Sequence, residues 1–158
     1  MIIGKTTILK PVLTGVACSL LWGTAPAQPD NEWLTMAGEG EMPYKTDQDL
    51  IQVHPQSIQI GPEFRTMEVR VNRNVQRTNW DGVPYRSYVS TVEVDCTKKT
   101  ARYVLMHYYL TPVWSGPVYK TIAYPPQQLR MMAFRDVVPN PRERIVKAAC
   151  LGTTIQHN

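Results

Sequence analysis

On either side of a short polar turn, residues 66–76 and 85–96 alternate between apolar and polar side chains. A period of two dictates strands with one dry and one wet face, the signature of an antiparallel sheet. Met67, Val69, Val71 and Val75 alternate with Glu68, Arg70, Asn72, Asn74 and Gln76, and only Arg73 breaks the dry series, which places it near an edge. Tyr88, Val92, Val94 and Cys96 share one face, opposite Ser87, Thr91, Glu93 and Asp95. Asn79–Pro84 lies between the two strands, and its Asp81-Gly82 pair is a turn signal. Residues 66–96 therefore read as a long hairpin with Trp80 near its tip.

Other strand signals flank this hairpin. Trp33–Met36 is a short apolar run ending at Gly38, Leu50–Val53 a second stopped by Pro55, and Ser57–Ile60 a third stopped by Gly61-Pro62. Ala101–Leu110 is apolar on both sides, with Tyr103, Leu105 and Tyr109 opposite Val104, Met106 and Tyr108. Val118–Tyr124 is similar, with Val118, Ile122 and Tyr124 opposite Tyr119 and Ala123, and Pro125-Pro126 ends it. Two-sided strands are expected at the centre of a sheet, covered on both faces by a helix, another sheet or a partner chain. One helix is indicated. Asn140 can cap it, Pro141 suits its first position, Glu143 falls three after the cap, and Ile145, Val146, Ala149 and Cys150 follow at helical spacing before Gly152. The fold class is α+β: a mainly antiparallel sheet with a C-terminal helix packed on it.

The N-terminus reads as an export signal. Lys5 and Lys10 precede an apolar stretch from Pro11 to Trp22, and Ala25-Pro26-Ala27 supplies small residues for cleavage. The expected organisation is a signal over 1–27, a disordered mature start over 28–32, one domain over 33–152 and a tail over 153–158. Cys18 would carry a lipid, and give membrane contact, only if the signal were of the lipoprotein kind. Gly15 stands where that kind usually has a bulky aliphatic residue, and the apolar run continues past Cys18. Of the 17 basic residues two lie in the signal, whereas all 13 acidic ones lie beyond it, which leaves a charge of +2 on the mature part. That mild balance, without a Lys/Arg block, argues against nucleic acid.

Cleavage leaves Cys96 and Cys150. In an oxidising compartment an even pair is most simply a disulfide, and only one pairing is possible. No catalytic motif appears: there is no G-x-S-x-G, H-E-x-x-H, phosphate-binding Gly loop or C-x-x-C. His54, His107 and His157 are too far apart in sequence to suggest a metal site, and no cofactor is implied. Glu93 and Asp95 share a strand face, which is the pattern of a solvated surface more than of a general acid–base pair. His107 reads as a satisfied core or interface histidine. The aromatics are the better lead. Trp80, Tyr103, Tyr108, Tyr109, Trp114 and Tyr119 form a candidate binding or dimer surface, with core packing as the plainer account of the tyrosines.

The order of these features resembles one family. It is a Trp soon after the signal, a strand pair, Gly82-Val83-Pro84-Tyr85-Arg86-Ser87, then Val92-Glu93-Val94-Asp95-Cys96, an Arg102-bearing strand, the Pro139 turn, and a helix ending Lys147-Ala148-Ala149-Cys150. The chain from Trp33 to Cys150 resembles the surface-adhesin protein E family of Gram-negative bacteria. The resemblance implies an antiparallel sheet on a C-terminal helix, a Cys96–Cys150 bond, a homodimer, and adhesion to host cells and matrix proteins. Gln127–Met132 departs from the pattern, and the basic matrix-binding segments of adhesive members do not map onto this chain. The expected function is that of a non-enzymatic exported envelope protein, at the cell surface or outer membrane, binding host-cell or matrix proteins. The alternative is a periplasmic structural or inhibitor-type protein whose partner is another envelope component.

Overall fold

A computed structural model describes residues 32–151. The signal, Cys18, most of the expected mature start, Gly152 and the tail lie outside the described residues. Of residues 28–32 only Glu32 is described, and its carboxylate lies 3.2 Å from His54 Nε2.

Six strands form one antiparallel sheet in which spatial order equals chain order. They are β1 (Leu34–Ala37), β2 (Leu50–Ile60), β3 (Arg65–Thr78), β4 (Pro84–Asp95), β5 (Thr100–Tyr109) and β6 (Lys120–Ala123). The hairpin read from the alternation is β3–β4, and its registers Met67↔Val92, Val69↔Ser90 and Val71↔Tyr88 set the dry residues side by side. The helix α1 (Arg142–Leu151) packs against β2, β3 and β4. Its start is capped as expected: Asn140 Oδ1 accepts the Arg142 N–H at 3.0 Å. Ile145, Val146 and Ala149 face the sheet and, with Met132, Phe134 and Val137 of the preceding segment, close the dry side. The Cys96–Cys150 disulfide, with Cα atoms 5.7 Å apart, clips the end of α1 to the end of β4.

Several local expectations change. Leu50–Ile60 is one strand, not two, and Pro55 lies inside it. Its ladder with β3 breaks between His54 and Gln59, so Pro55 withholds no ladder bond where it sits. Ser57 spans the break: its hydroxyl donates to His54 O at 2.6 Å and accepts the Glu68 N–H at 2.8 Å. Arg73 is buried rather than at an edge. It donates to Arg135 O at 2.8 Å and lies 3.3 Å from Asp49 Oδ1, while Val75 beyond it is exposed.

The strand β5 departs most informatively. Thr91 pairs with Leu105 but Val92 with Tyr103, so Val104 is an extra residue, a β-bulge. The bulge reverses the alternation. Tyr103 joins Met106 and Tyr108 on the dry side, where 1% and 0% of Tyr103 and Tyr108 remain exposed. Strict alternation alone places Tyr103 on the opposite face. Val118–Tyr124 also differs: only Lys120–Ala123 is strand, it is an outer edge, and three of its four residues are exposed. Both edge strands are four residues long, and Pro117 and Pro125-Pro126 flank β6. Short, proline-bounded edges offer little to an incoming strand.

Candidate binding surface

The sheet's wet face is built from the residues that alternate with the core. On β4 these are Ser87, Val89, Thr91 and Glu93, paired across to Tyr109, His107, Leu105 and Arg102 on β5. Their neighbours on the dry side are buried, whereas Val89, Thr91, Leu105, His107 and Tyr109 stay partly exposed. An apolar Val–Leu–Tyr group thus lies open on a strand pair whose other side is sealed.

The two ends of this face are finished differently. At one end the loop before β2 and a 3₁₀ turn over Pro112–Trp114 fold over it. Trp114 Nε1 donates to Tyr88 O at 2.9 Å and Val71 O at 3.2 Å, while Ser87 Oγ accepts the Trp114 N–H at 3.0 Å. Beneath them sits Arg70, only 8% exposed although it belongs to the wet series. Its guanidinium carbon lies 4.2 Å from the Trp33 ring centroid, 4.3 Å from that of Trp114 and 5.3 Å from that of Tyr44. It donates to Gln52 Oε1 at 2.8 Å and Tyr44 Oη at 2.7 Å. Cation–π contact and charge-assisted hydrogen bonds together offset its desolvation. At the other end Phe64 divides two adjoining depressions of about 340 and 220 Å³, with Glu93 lining both and Leu129 and Met131 on the far rim.

The carboxylates that share a strand face are engaged separately. Glu93 holds Arg102 through two bonds of 2.7 and 3.0 Å. Asp95 Oδ1 accepts the N–H groups of Thr97 and Lys98, which stabilise its charged form and lower its pKa. His107 Nδ1 meets Thr121 Oγ1 at 2.9 Å. Among the described residues no group of three or more His, Cys, Asp or Glu side chains is placed to hold a metal ion. No described helix is long and apolar enough to cross a membrane.

The sequence profile of the surface-adhesin protein E family matches residues 33–151, most of the chain. This chain belongs to that family. The profile begins at Trp33, which stacks on Arg70, and ends one residue beyond Cys150, so it spans the whole fold from the aromatic clamp to the disulfide. No curated protein sequence matches the chain.

In this adhesin-family fold the six aromatics singled out in the sequence do not form one patch. Tyr103 and Tyr108 are core residues: Tyr103 Oη meets Tyr88 Oη at 3.0 Å, and Tyr108 Oη accepts from Asn79 Nδ2 at 2.9 Å. Tyr109 and Trp114 border the wet face and are partly exposed. Tyr119 is exposed beside β6, with its N–H on Tyr108 O at 2.8 Å. Trp80 is exposed at the hairpin tip, far along the chain's other surface, where it stacks on Tyr103 with ring centroids 5.8 Å apart. Sequence reading missed Arg70, Trp33 and Tyr44 as a unit. They come from three separate segments, and nothing local distinguishes Arg70 from the polar residues that alternate with it.

Proposed function

We propose that the chain is a non-enzymatic envelope protein whose open sheet face pairs with a second copy of itself, the dimer serving adhesion to host-cell or matrix proteins. The observation that carries this reading is the asymmetry of β4 and β5. One side is sealed under α1 and the segment before it, and the other leaves Val89, Leu105 and Tyr109 partly exposed beside a fixed rim of Trp114 and Arg70. A sheet face with that composition is suited to burial against another surface, and Tyr and Trp at its border are the residues that most often anchor interfaces. The match to surface-adhesin protein E supports the adhesive role and an exported location.

Sedimentation of the oxidised mature chain at micromolar concentration is expected to give a dimer, and Leu105→Glu is expected to return it to monomer with its fold intact. A monomeric wild-type chain would remove the proposed interface. Saturable binding to immobilised laminin or vitronectin above an albumin control is expected of the adhesive role. Binding no better than albumin, together with resistance to protease on intact cells, would point instead to a periplasmic partner.

A further inference from the structure

Trp80 is 47% exposed, an unusual state for a ring this large in a turn that is otherwise tightly tied. Asn79 Oδ1 accepts the N–H groups of Asp81 and Val83, the Asn79 N–H donates to Val83 O, and Gly82 takes a φ of +78° that closes the turn. The indole is held from beneath by Tyr103 at an interplanar angle of 30° and flanked by Tyr124 at 6.2 Å. Its orientation is therefore fixed before any ligand arrives. Beside it stand two hydrogen-bonding groups. The Asp81 carboxylate accepts from Tyr124 Oη at 2.6 Å and Arg130 Nη2 at 3.2 Å, which leaves lone pairs over on both oxygens. Arg130 lies with its guanidinium carbon over the Trp80 ring, 5.8 Å from the centroid, and one-third of its side chain is exposed.

We infer that Trp80, Asp81 and Arg130 form a binding platform for a neutral pyranose glycan. A pyranose presents an apolar face of C–H bonds, which suits a flat, exposed and immobile indole, and a rim of hydroxyls, which suits a carboxylate beside a guanidinium. Because Asp81 and Arg130 form an ion pair, the platform has no net charge, and this selects a hydrogen-bonding ligand over an ionic one. Tyr103, beneath the indole, belongs to the dry side of the sheet, opposite the open face proposed for pairing. Loss of the glycan platform would therefore leave pairing intact, and the reverse.

The test is a titration of the oxidised mature chain with a β-1,4-linked N-acetylglucosamine tetramer, followed by the three indole N–H resonances of Trp33, Trp80 and Trp114. The expected result is a saturable shift of the Trp80 resonance alone, and at least a tenfold loss of affinity in Trp80→Ala by calorimetry. Trp80→Phe, which keeps a ring on Tyr103 and so preserves the fold, is expected to bind severalfold more weakly than wild type, and Asp81→Asn to weaken binding as well. No shift at Trp80 with this tetramer and with a β-1,4-linked glucose tetramer, or equal affinity in Trp80→Ala, would overturn the assignment. Binding abolished by moderate salt would also overturn it, because a neutral ligand does not release counterions.

Discussion

Arg70 shows how far one side chain can depart from the pattern that surrounds it. It belongs to the polar series of its strand, yet two indoles and a phenol enclose it, and Gln52 and Tyr44 accept its protons. Arg70→Ala removes three ring contacts and leaves two polar partners unanswered, so a loss of about 2–4 kcal/mol is expected from urea unfolding. Arg70→Lys is expected to recover little of that loss, because an ammonium cannot lie flat between two rings and bond sideways at once. If Lys restored wild-type stability, simple charge would be the relevant property and the stacking account would fail.

At the scale of the element, the bulge in β5 decides which tyrosines are core. Val104 has no partner of its own opposite β4, and its presence lets Tyr103 and Met106 face the same way. Deleting Val104 restores strict alternation and turns either Tyr103 and Ala101, or Met106 and Tyr108, out to the wet face. The expected outcome is loss of cooperative unfolding by circular dichroism. The disulfide acts on a different element. It closes a loop of 54 residues between β4 and α1, so Cys150→Ser is expected to cost about 4 kcal/mol in the chain-entropy model, read from the shift in denaturant midpoint. Unchanged unfolding of that variant would mean that α1 docks by packing alone. These two features also divide what the sequence reveals from what it hides. The hairpin, the capped helix and the cysteine pair rest on local rules, namely period, cap spacing and parity, and each can be read directly from the chain. The bulge, the continuity of β2 through Pro55 and the burial of Arg73 depend on which strand lies alongside, and no local pattern carries that information. The same holds for the site. The polar and apolar residues of the wet face follow from alternation, whereas the clamp around Arg70 is assembled by tertiary contact. For Tyr103 and Tyr108 the sequence leaves core and surface both open, because a strand apolar on both sides does not say which side is sealed.

The whole molecule contains a core unusually rich in phenols, and that gives it a characteristic response to alkali. Burial raises the pKa of Tyr85, Tyr88, Tyr103, Tyr108 and Tyr124 above the ordinary value of 10, with Asp81 pushing Tyr124 further in the same direction. A group that keeps its proton more tightly when folded stabilises the fold fully below its unfolded pKa, and the contribution is lost as pH rises from there through the folded value. The melting temperature is therefore expected to be insensitive to these groups up to about pH 9 and to fall steeply above about pH 10. Phenolate absorbance from the core should appear together with unfolding, not before it. Ionisation of all the tyrosines near pH 10 in a chain that remains folded would contradict the buried cluster.

Spatial order in the sheet equals order along the chain, so each strand meets its neighbour as soon as the next one has been made. The cover for the dry side arrives last: Met132, Phe134 and Val137, and then Ile145, Val146 and Ala149 of the final ten described residues. A chain whose sheet has formed but whose last segment has not yet docked holds a meander with a row of methionine, valine and tyrosine side chains open to whatever is nearby. The vulnerable interval is thus the one between closure of the sheet and docking of α1. A chaperone that shields it has one target, a stripe running across β2 to β5, and can let go once Cys150 reaches Cys96.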